Sequence, residues 1–318
     1  MDVHHLIIIG SGPAALSAGI YAGRADLSPL LISGRDIGGY MALTDRVENY
    51  PGFPEGVSGF ELVQLMQRQA EGFGAQIIMD EVTAVDLSAR PFKVKTYGNE
   101  YQSSAVIIAT GTSNRKLEVS GEEEFVGRGV SFCATCDGYF YRDQRVAVVG
   151  GGDAAVKEAL FLTKFASTVY VIHRRDRLRA EKIVQDMALS NEKIHFVWDT
   201  VVTEIMGDGG VTGIRLRNVE TGQESTLETE GVFIFVGTVP NTELFKEQVE
   251  LDEAGYIVTD EGQQTSVEGV FAAGDVQERV ARQIATAVGS GARAAMQAEE
   301  FIAELEGRAY PDRDLQGK

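Results

Sequence analysis

The only two cysteines of this chain stand three apart, in Cys133-Ala134-Thr135-Cys136-Asp137. At that spacing two sulfurs can bond to each other, and a thiol with a lowered pKa becomes a nucleophile. Asp137 comes directly after and is placed to carry a proton to or from a sulfur. A C-x-x-C loop is too tight to staple a fold usefully, so the pair reads as metal-binding or redox-active. Structural zinc prefers four N or S ligands. The chain has no second C-x-x-C, so zinc would need ligands from a partner subunit. The redox reading is therefore preferred.

Two glycine-rich corners are the next residues able to do chemistry. His5–Ile9 reads as an apolar strand and runs into Gly10-Ser11-Gly12-Pro13-Ala14-Ala15. The first glycine permits a tight turn, and the second lets backbone approach a pyrophosphate. The small Ala15 lets the next helix pack on the strand, and the free N–H groups at that helix start face the anion. Arg145–Val149 repeats the pattern with Gly150-Gly151-Gly152-Asp153-Ala154-Ala155. Each corner leads on to a second apolar strand, Leu30–Ser33 or Val169–Ile172. The chain thus carries two βαβ dinucleotide units.

The two units differ in the residues just past the second strand. After Val169–Ile172 come His173-Arg174-Arg175, with Arg179 behind. Guanidinium forks match phosphate oxygens, so this cluster suits the 2′-phosphate of NADPH. After Leu31-Ile32-Ser33 no clear acidic partner for a ribose is evident. Two nucleotide units in one chain imply two cofactors that exchange electrons, with FAD in the first and NADPH in the second.

These groups need elements to position them. Short Val/Ile-rich runs alternating with Ala-rich helical segments predict an α/β fold with parallel sheets. A polar insertion runs from Gly34 to about Gly74, a β-rich stretch covers Gln76–Thr96, and Gly127–Asp137 reads as a loop. Strand–Gly–helix form returns at Gly269–Ala273 and Gly274-Asp275, with a helix to about Leu305. Arg308–Lys318 reads as a frayed tail. The expected architecture is two Rossmann-like, three-layer nucleotide-binding domains, the second inserted into the first. Residues 1–116 and 245–318 form the discontinuous FAD domain, and 117–244 form the NADPH domain carrying the Cys pair. The crossings are expected near Ser113–Arg115 and Val239–Thr242.

At 318 residues the chain is long enough for two cores, and 44% of it is apolar. A net charge of −18 repels a phosphate backbone, which argues against nucleic acid as a partner. No apolar run is long enough to span a bilayer. The first residues lack a basic segment before the first strand, so a cytoplasmic location and no membrane association are expected.

The motifs together resemble the low-molecular-weight, NADPH-dependent thioredoxin reductases, a class of pyridine nucleotide-disulfide oxidoreductase, over essentially the whole chain. The resemblance is carried by both glycine corners, Val47-Glu48-Asn49-Tyr50-Pro51-Gly52, Ala109-Thr110-Gly111 and Gly127-Arg128-Gly129-Val130-Ser131. It extends through the Cys pair, His173-Arg174-Arg175 with Arg179, and Gly274-Asp275-Val276 with the later run Arg282-Gln283-Ile284-Ala285-Thr286-Ala287. It implies that FAD is held by Gly10, Gly12, Pro13, Ala14, Asn49, Ala109, Thr110, Gly111, Gly274, Asp275, Arg282, Gln283 and Ile284. It places NADPH on Gly150, Gly152, Asp153, Ala154, His173, Arg174, Arg175 and Arg179. It implies a homodimer whose NADPH domain rotates to present nicotinamide and Cys pair to the flavin in turn. Cys136 would be the flavin-facing sulfur, Asp137 the acid/base, and Cys133 the attacker of the substrate disulfide in thioredoxin. Arg128, Tyr139 and Phe140 flank the pair and help dock the substrate, the alternative being packing for Tyr139 and Phe140 and solvated surface for Arg128. The family's Gly-Gly-Gln-Leu near the flavin reads Gly38-Gly39-Tyr40-Met41 here, a phenol in place of an amide.

Some relatives of this family take electrons from ferredoxin or a second flavin, and others oxidise dithiols with O2. The intact second glycine corner and Arg cluster argue for NADPH. A non-catalytic redox-sensing scaffold would lack catalytic residues, whereas Cys133, Cys136 and Asp137 are all present.

Overall fold

The apolar runs before the two glycine corners each become a strand paired in parallel on both sides within its sheet. The structure, a computed structural model, describes residues 3–44, 46–278 and 280–308, with Cys136 described by its backbone alone. It divides into two compact units, Met1–Ser113 with Pro240–Lys318, and Asn114–Val239.

The first unit opens with β1 (Val3–Ile9), α1 (Pro13–Arg24), β2 (Leu30–Ile32), α2 (Gly59–Gly72) and β3 (Gln76–Ile78). It continues through β4 (Val82–Asp86), β5 (Phe92–Thr96), β6 (Glu100–Ile108) and β7 (Thr112–Asn114). β1 lies between β2 and β6, parallel to both. Its side chains alternate between two cores, as strand geometry requires. Leu6 and Ile8 join the helices, with Leu16 of α1 and Val63 of α2. Ile7 and Ile9 join the opposite face, with Phe92, Val94 and Phe245. Both faces are covered, so the strand is a continuous apolar run rather than an alternating one. β6 is long enough to serve two partners on one edge. Its first half pairs antiparallel with β5, and Val106–Ile108 pair with a strand that returns late in the chain.

The second unit holds β8 (Val130–Ser131), α3 (Ala134–Asp137), β9 (Arg145–Gly150), α4 (Asp153–Leu162), β10 (Thr168–Ile172), α5 (Lys182–Leu189) and β11 (Ile194–Val197). Three antiparallel strands come next, β12 (Thr200–Gly207), β13 (Val211–Asn218) and β14 (Glu224–Glu228), then β15 (Gly231–Phe235) and β16 (Thr238–Pro240). Its parallel sheet has the order β11-β10-β9-β15-β8. Val146 and Val148 of β9 face α4 and α5, whereas Ala147 and Val149 face the antiparallel strands. The chain crosses between units through β7 and β16, which pair with each other. The chain then returns to the first unit with β17 (Val270–Ala272) beside β6 and ends in α6 (Ile284–Leu305). α6 crosses α1 closely. A Cβ on Gly291 would lie 2.1 Å from the Ala14 carbonyl oxygen, and Ser17 Oγ donates to Val288 O at 2.8 Å.

Two sequence expectations need correction. The stretch Gly34–Gly74 is not simply a polar insertion, because its second half is the fourteen-residue α2. Ser58 caps that helix by accepting from Glu61 N at 3.1 Å, and Leu62, Val63, Met66 and Ala70 form its buried stripe. Gly127–Asp137 is not a plain loop, since it contains β8 and the single turn α3. Of the expected tail Arg308–Lys318, all but Arg308 lie outside the described residues. Among the described residues, no helix is long and apolar enough to cross a membrane.

Candidate functional site

In the first unit, β1 turns into α1 at Gly10 with φ +128, and a Cβ there would sit 2.2 Å from the Ala109 carbonyl oxygen. Only glycine combines that dihedral with that approach. Gly12 then caps α1 from an extended conformation, with Pro13 in the first turn. A Cβ on Gly12 would meet nothing within 4 Å. The corner is thus closed behind and open in front. Ser11 Oγ accepts from Gly38 N at 3.2 Å and reaches the Ser33 and Asp36 carbonyls at 3.1 and 3.0 Å. These contacts fasten the loop after β2 to the glycine corner.

The open side faces a cavity of about 460 Å³. Gly10, Gly12, Pro13 and Ala14 line it from the corner, Ala109, Thr110 and Gly111 from the end of β6, and Gly274, Asp275, Arg282, Gln283 and Ile284 from the approach to α6. Asn49 is not in the wall. Its Nδ2 donates to Gln283 Oε1 at 2.9 Å, so it meets the cavity through a neighbour. Burial pushes the Asp275 carboxyl pKa up, Arg282 pulls it down, and Glu278 adds to the upward push. Arg282 Nη1 donates to Tyr256 Oη at 3.5 Å.

Several wall residues escape sequence reasoning. Asp36 and Glu81 both line the cavity, so acidic residues not singled out in the sequence stand around it. Asp36 lies only a few residues past the strand, where a dinucleotide unit keeps its ribose ligand. Thr44 also lines the cavity, as does Tyr40, the phenol that the resemblance sets near the flavin. Asn241 closes one side, with its Nδ2 donating to Thr110 O at 2.9 Å and its backbone N donating to Gly111 O at 3.0 Å. Nothing in the sequence around Asn241 marks it, because its role comes from the chain returning to the first unit.

The second unit repeats the corner. Gly150 has φ +148, and its Cβ would be 2.3 Å from the Phe235 carbonyl oxygen. Gly152 caps α4 and again has nothing within 4 Å of a Cβ. Asp153 and Ala154 form the first turn, and Asp153 Oδ1 accepts from Glu181 N at 2.8 Å. Arg179 N donates to Gly151 O at 2.7 Å, drawing the Arg-bearing loop to the corner. Arg174, Arg175 and Arg179 are exposed. His173 is only 4% exposed and packs under Gly151, and its Nε2 has no hydrogen-bond partner among the described residues. Desolvation lowers its pKa, and the charges of Arg179, Arg175 and Arg174 lower it further. The lowered pKa favours the neutral ring, and the charges of all three arginines are felt at it.

Near the cysteines, β8 delivers the chain to α3. Cys133 N donates to Ser131 Oγ at 3.0 Å, and Asp137 N donates to Cys133 O at 3.2 Å. Cys133 is disulfide-bonded, and its Sγ lies 3.3 Å from Thr135 Oγ1. The expected role of Cys136 concerns a side chain outside the described atoms. Asp137 makes itself felt at Tyr141, whose pKa burial raises and the Asp137 charge raises further. Phe140 is exposed, and Tyr139 is flanked by Phe165 and the Arg142 guanidinium. Arg128 lies over the Phe125 ring. Among the described residues, no group of three or more His, Cys, Asp or Glu is gathered to hold a metal.

Residues 4–291 match the Pyridine nucleotide-disulphide oxidoreductase family. A thioredoxin reductase of Rickettsia felis is 52% identical over 93% of this chain and 97% of its own length. One from Streptomyces coelicolor is 49% identical over 98% of each. The crystal structure of Lactococcus lactis thioredoxin reductase superposes with a TM-score of 0.91 at 44% identity, over 95% of this chain and 99% of that one. The chain belongs to the pyridine nucleotide-disulphide oxidoreductase family, among the thioredoxin reductases, and is a flavin-dependent disulfide reductase.

Proposed function

We propose that the first unit binds FAD, that the second binds NADPH, and that Cys133 and Cys136 pass the electrons to thioredoxin. The observation that carries this reading is the doubled corner with two different surroundings. One open glycine faces a cavity walled by Asp36, Glu81 and Asp275. The other adjoins His173, where the charges of Arg179, Arg175 and Arg174 are all felt. Both fit their group by the same test, since a Cβ on Gly12 or Gly152 would occupy only open space where a phosphate can come close.

Bound FAD supplies a ring that accepts a hydride from reduced nicotinamide and releases electrons to a disulfide. The chain's own residues do the rest. Gly12 and the first N–H groups of α1 meet the pyrophosphate, and Asp36 takes ribose hydroxyls. Arg174, Arg175 and Arg179 grip the 2′-phosphate of NADPH, with neutral His173 supporting them from beneath. Starting from the reduced pair, the Cys133 thiolate attacks one sulfur of the substrate disulfide and forms a mixed disulfide. The Cys136 thiolate then attacks Cys133 Sγ, which releases the second substrate sulfur and restores the internal disulfide. Two protons end on the substrate thiols, and Asp137 moves protons between the pair and solvent.

Thioredoxin is the substrate named by the relatives, and exposed Phe140 beside the pair suits a protein surface. α1 and α2 pack together and expose Tyr21 and Phe60. We assign these exposed apolar side chains to contacts with a second copy of the chain. A reducing cytosol is the compartment where two cysteines would serve redox cycling rather than stapling. Anaerobic titration of the purified yellow protein with NADPH, and separately with NADH, tests the donor. Prompt bleaching by NADPH alone is expected. Bleaching only by reduced ferredoxin would overturn the NADPH assignment.

A further inference from the structure

The contact between Asn49 and Gln283 settles how one cavity amide is turned. Gln283 is the N-cap of α6, a position where Ser, Thr, Asp or Asn is the usual choice. It also lines the cavity. Its Oε1 accepts from Asn49 Nδ2 at 2.9 Å. The same side chain forms the acceptor half of a capping box toward the Thr286 N–H, while Gln283 N donates to Thr286 Oγ1 at 3.2 Å. An amide has one acceptor end and one donor end, and both neighbours here are donors. The carbonyl end is therefore engaged. The Gln283 Nε2 makes no hydrogen bond among the described residues.

We propose that Asn49 is a positioning residue that turns the Gln283 amide so that its NH2 is presented to the flavin as a hydrogen-bond donor. This rests on the reading that the first-unit cavity holds FAD. A donor at the ring's acceptor edge favours the reduced ring, which carries more electron density on its oxygens and nitrogens. Asn49 thus acts on the electron-transfer potential without entering the cavity. It also ties the segment around Val47–Val57 to the start of α6, so a change in that segment reaches the flavin through one hydrogen bond.

The test uses the flavin-loaded protein and reads the flavin midpoint potential and absorption spectrum, with no turnover involved. Asn49→Leu, nearly the same size and uncharged, is expected to make the flavin about tenfold harder to reduce at equilibrium, about 30 mV for a two-electron couple. Asn49→His keeps an N–H at about the same reach and is expected to restore much of that shift. In a Gln283→Leu background, Asn49→Leu is expected to add nothing further. Shifts that add independently in the double variant would overturn the proposal, as would an Asn49→Leu potential and spectrum matching the parent. If Asn49→Leu retains too little flavin to measure, the comparison of Asn49→His with Asn49→Ala decides in the same way. A parent protein that binds no flavin at all would instead overturn the FAD reading itself, so the two failures are distinct.

Discussion

Single charges are expected to decide what each proposed nucleotide site prefers. Removing one guanidinium that bonds a phosphate forfeits a charge-assisted interaction of about 1.5–3 kcal/mol. Arg175→Ala is therefore expected to raise the KM for NADPH about ten- to hundredfold and to leave the KM for NADH nearly unchanged, as steady-state kinetics with each donor will show. Asp275 makes the opposite kind of prediction. Its folded pKa is raised above the ordinary 3.8, chiefly by burial. A carboxyl with a raised folded pKa costs nothing below its unfolded pKa, where both states are protonated, and destabilises the fold as pH rises through the folded value. Asp275→Asn is thus expected to raise the thermal midpoint of the flavin-free protein at pH 7, with the gain fading toward pH 3.8. The same substitution should weaken flavin retention, a trade of function for stability. Among single residues, the sequence is legible where residue type and spacing act locally, as in the Arg cluster, the Cys pair and the approach to α6. Asn241 and the Asn49–Gln283 bond are not legible, because each depends on chain segments far apart in sequence meeting in space.

Among the elements, the two glycines of the first corner separate folding from binding. Gly10→Ala would force a side chain onto φ +128 and against the Ala109 carbonyl. It is expected to destabilise the flavin-free protein by at least about 2 kcal/mol in chemical denaturation. Gly12→Ala would place its methyl in open space. It should leave that stability within about 0.5 kcal/mol and yet abolish tight flavin binding. Equal effects from both substitutions would contradict the division of labour between them. The strands at these corners are readable because a strand buried on both faces is a continuous apolar run. α2 is hard to recognise, since its apolar stripe is diluted by exposed Glu, Gln and Arg and its start is marked only by Ser58 and Glu61. α3 is too short to show a period at all.

For the whole molecule, an acidic chain of net charge −18 carries a cluster of arginines at one glycine corner, and the doubled βαβ pattern supports the proposal that two nucleotides serve one cysteine pair. The apolar side chains exposed on α1 and α2 lead to a prediction about assembly. Sedimentation equilibrium should give twice the protomer mass, and Tyr21→Glu with Phe60→Glu should shift the protein toward a monomer that still binds flavin. The nested two-unit plan is visible in the order of the motifs. The proposed assembly is not, because nothing in the sequence marks Tyr21 and Phe60 as the exposed apolar residues of their helices.

Electrons are expected to pass from a pyridine nucleotide through a flavin to the cysteine pair, and anaerobic reductive titration followed by absorbance counts them. The parent protein should take up two electron pairs per protomer, one to the flavin and one to the Cys133–Cys136 disulfide. Cys136→Ser should take up one and still bleach with NADPH. Equal uptake by the two proteins, or full thioredoxin turnover by Cys136→Ser, would remove the cysteine pair from the electron path.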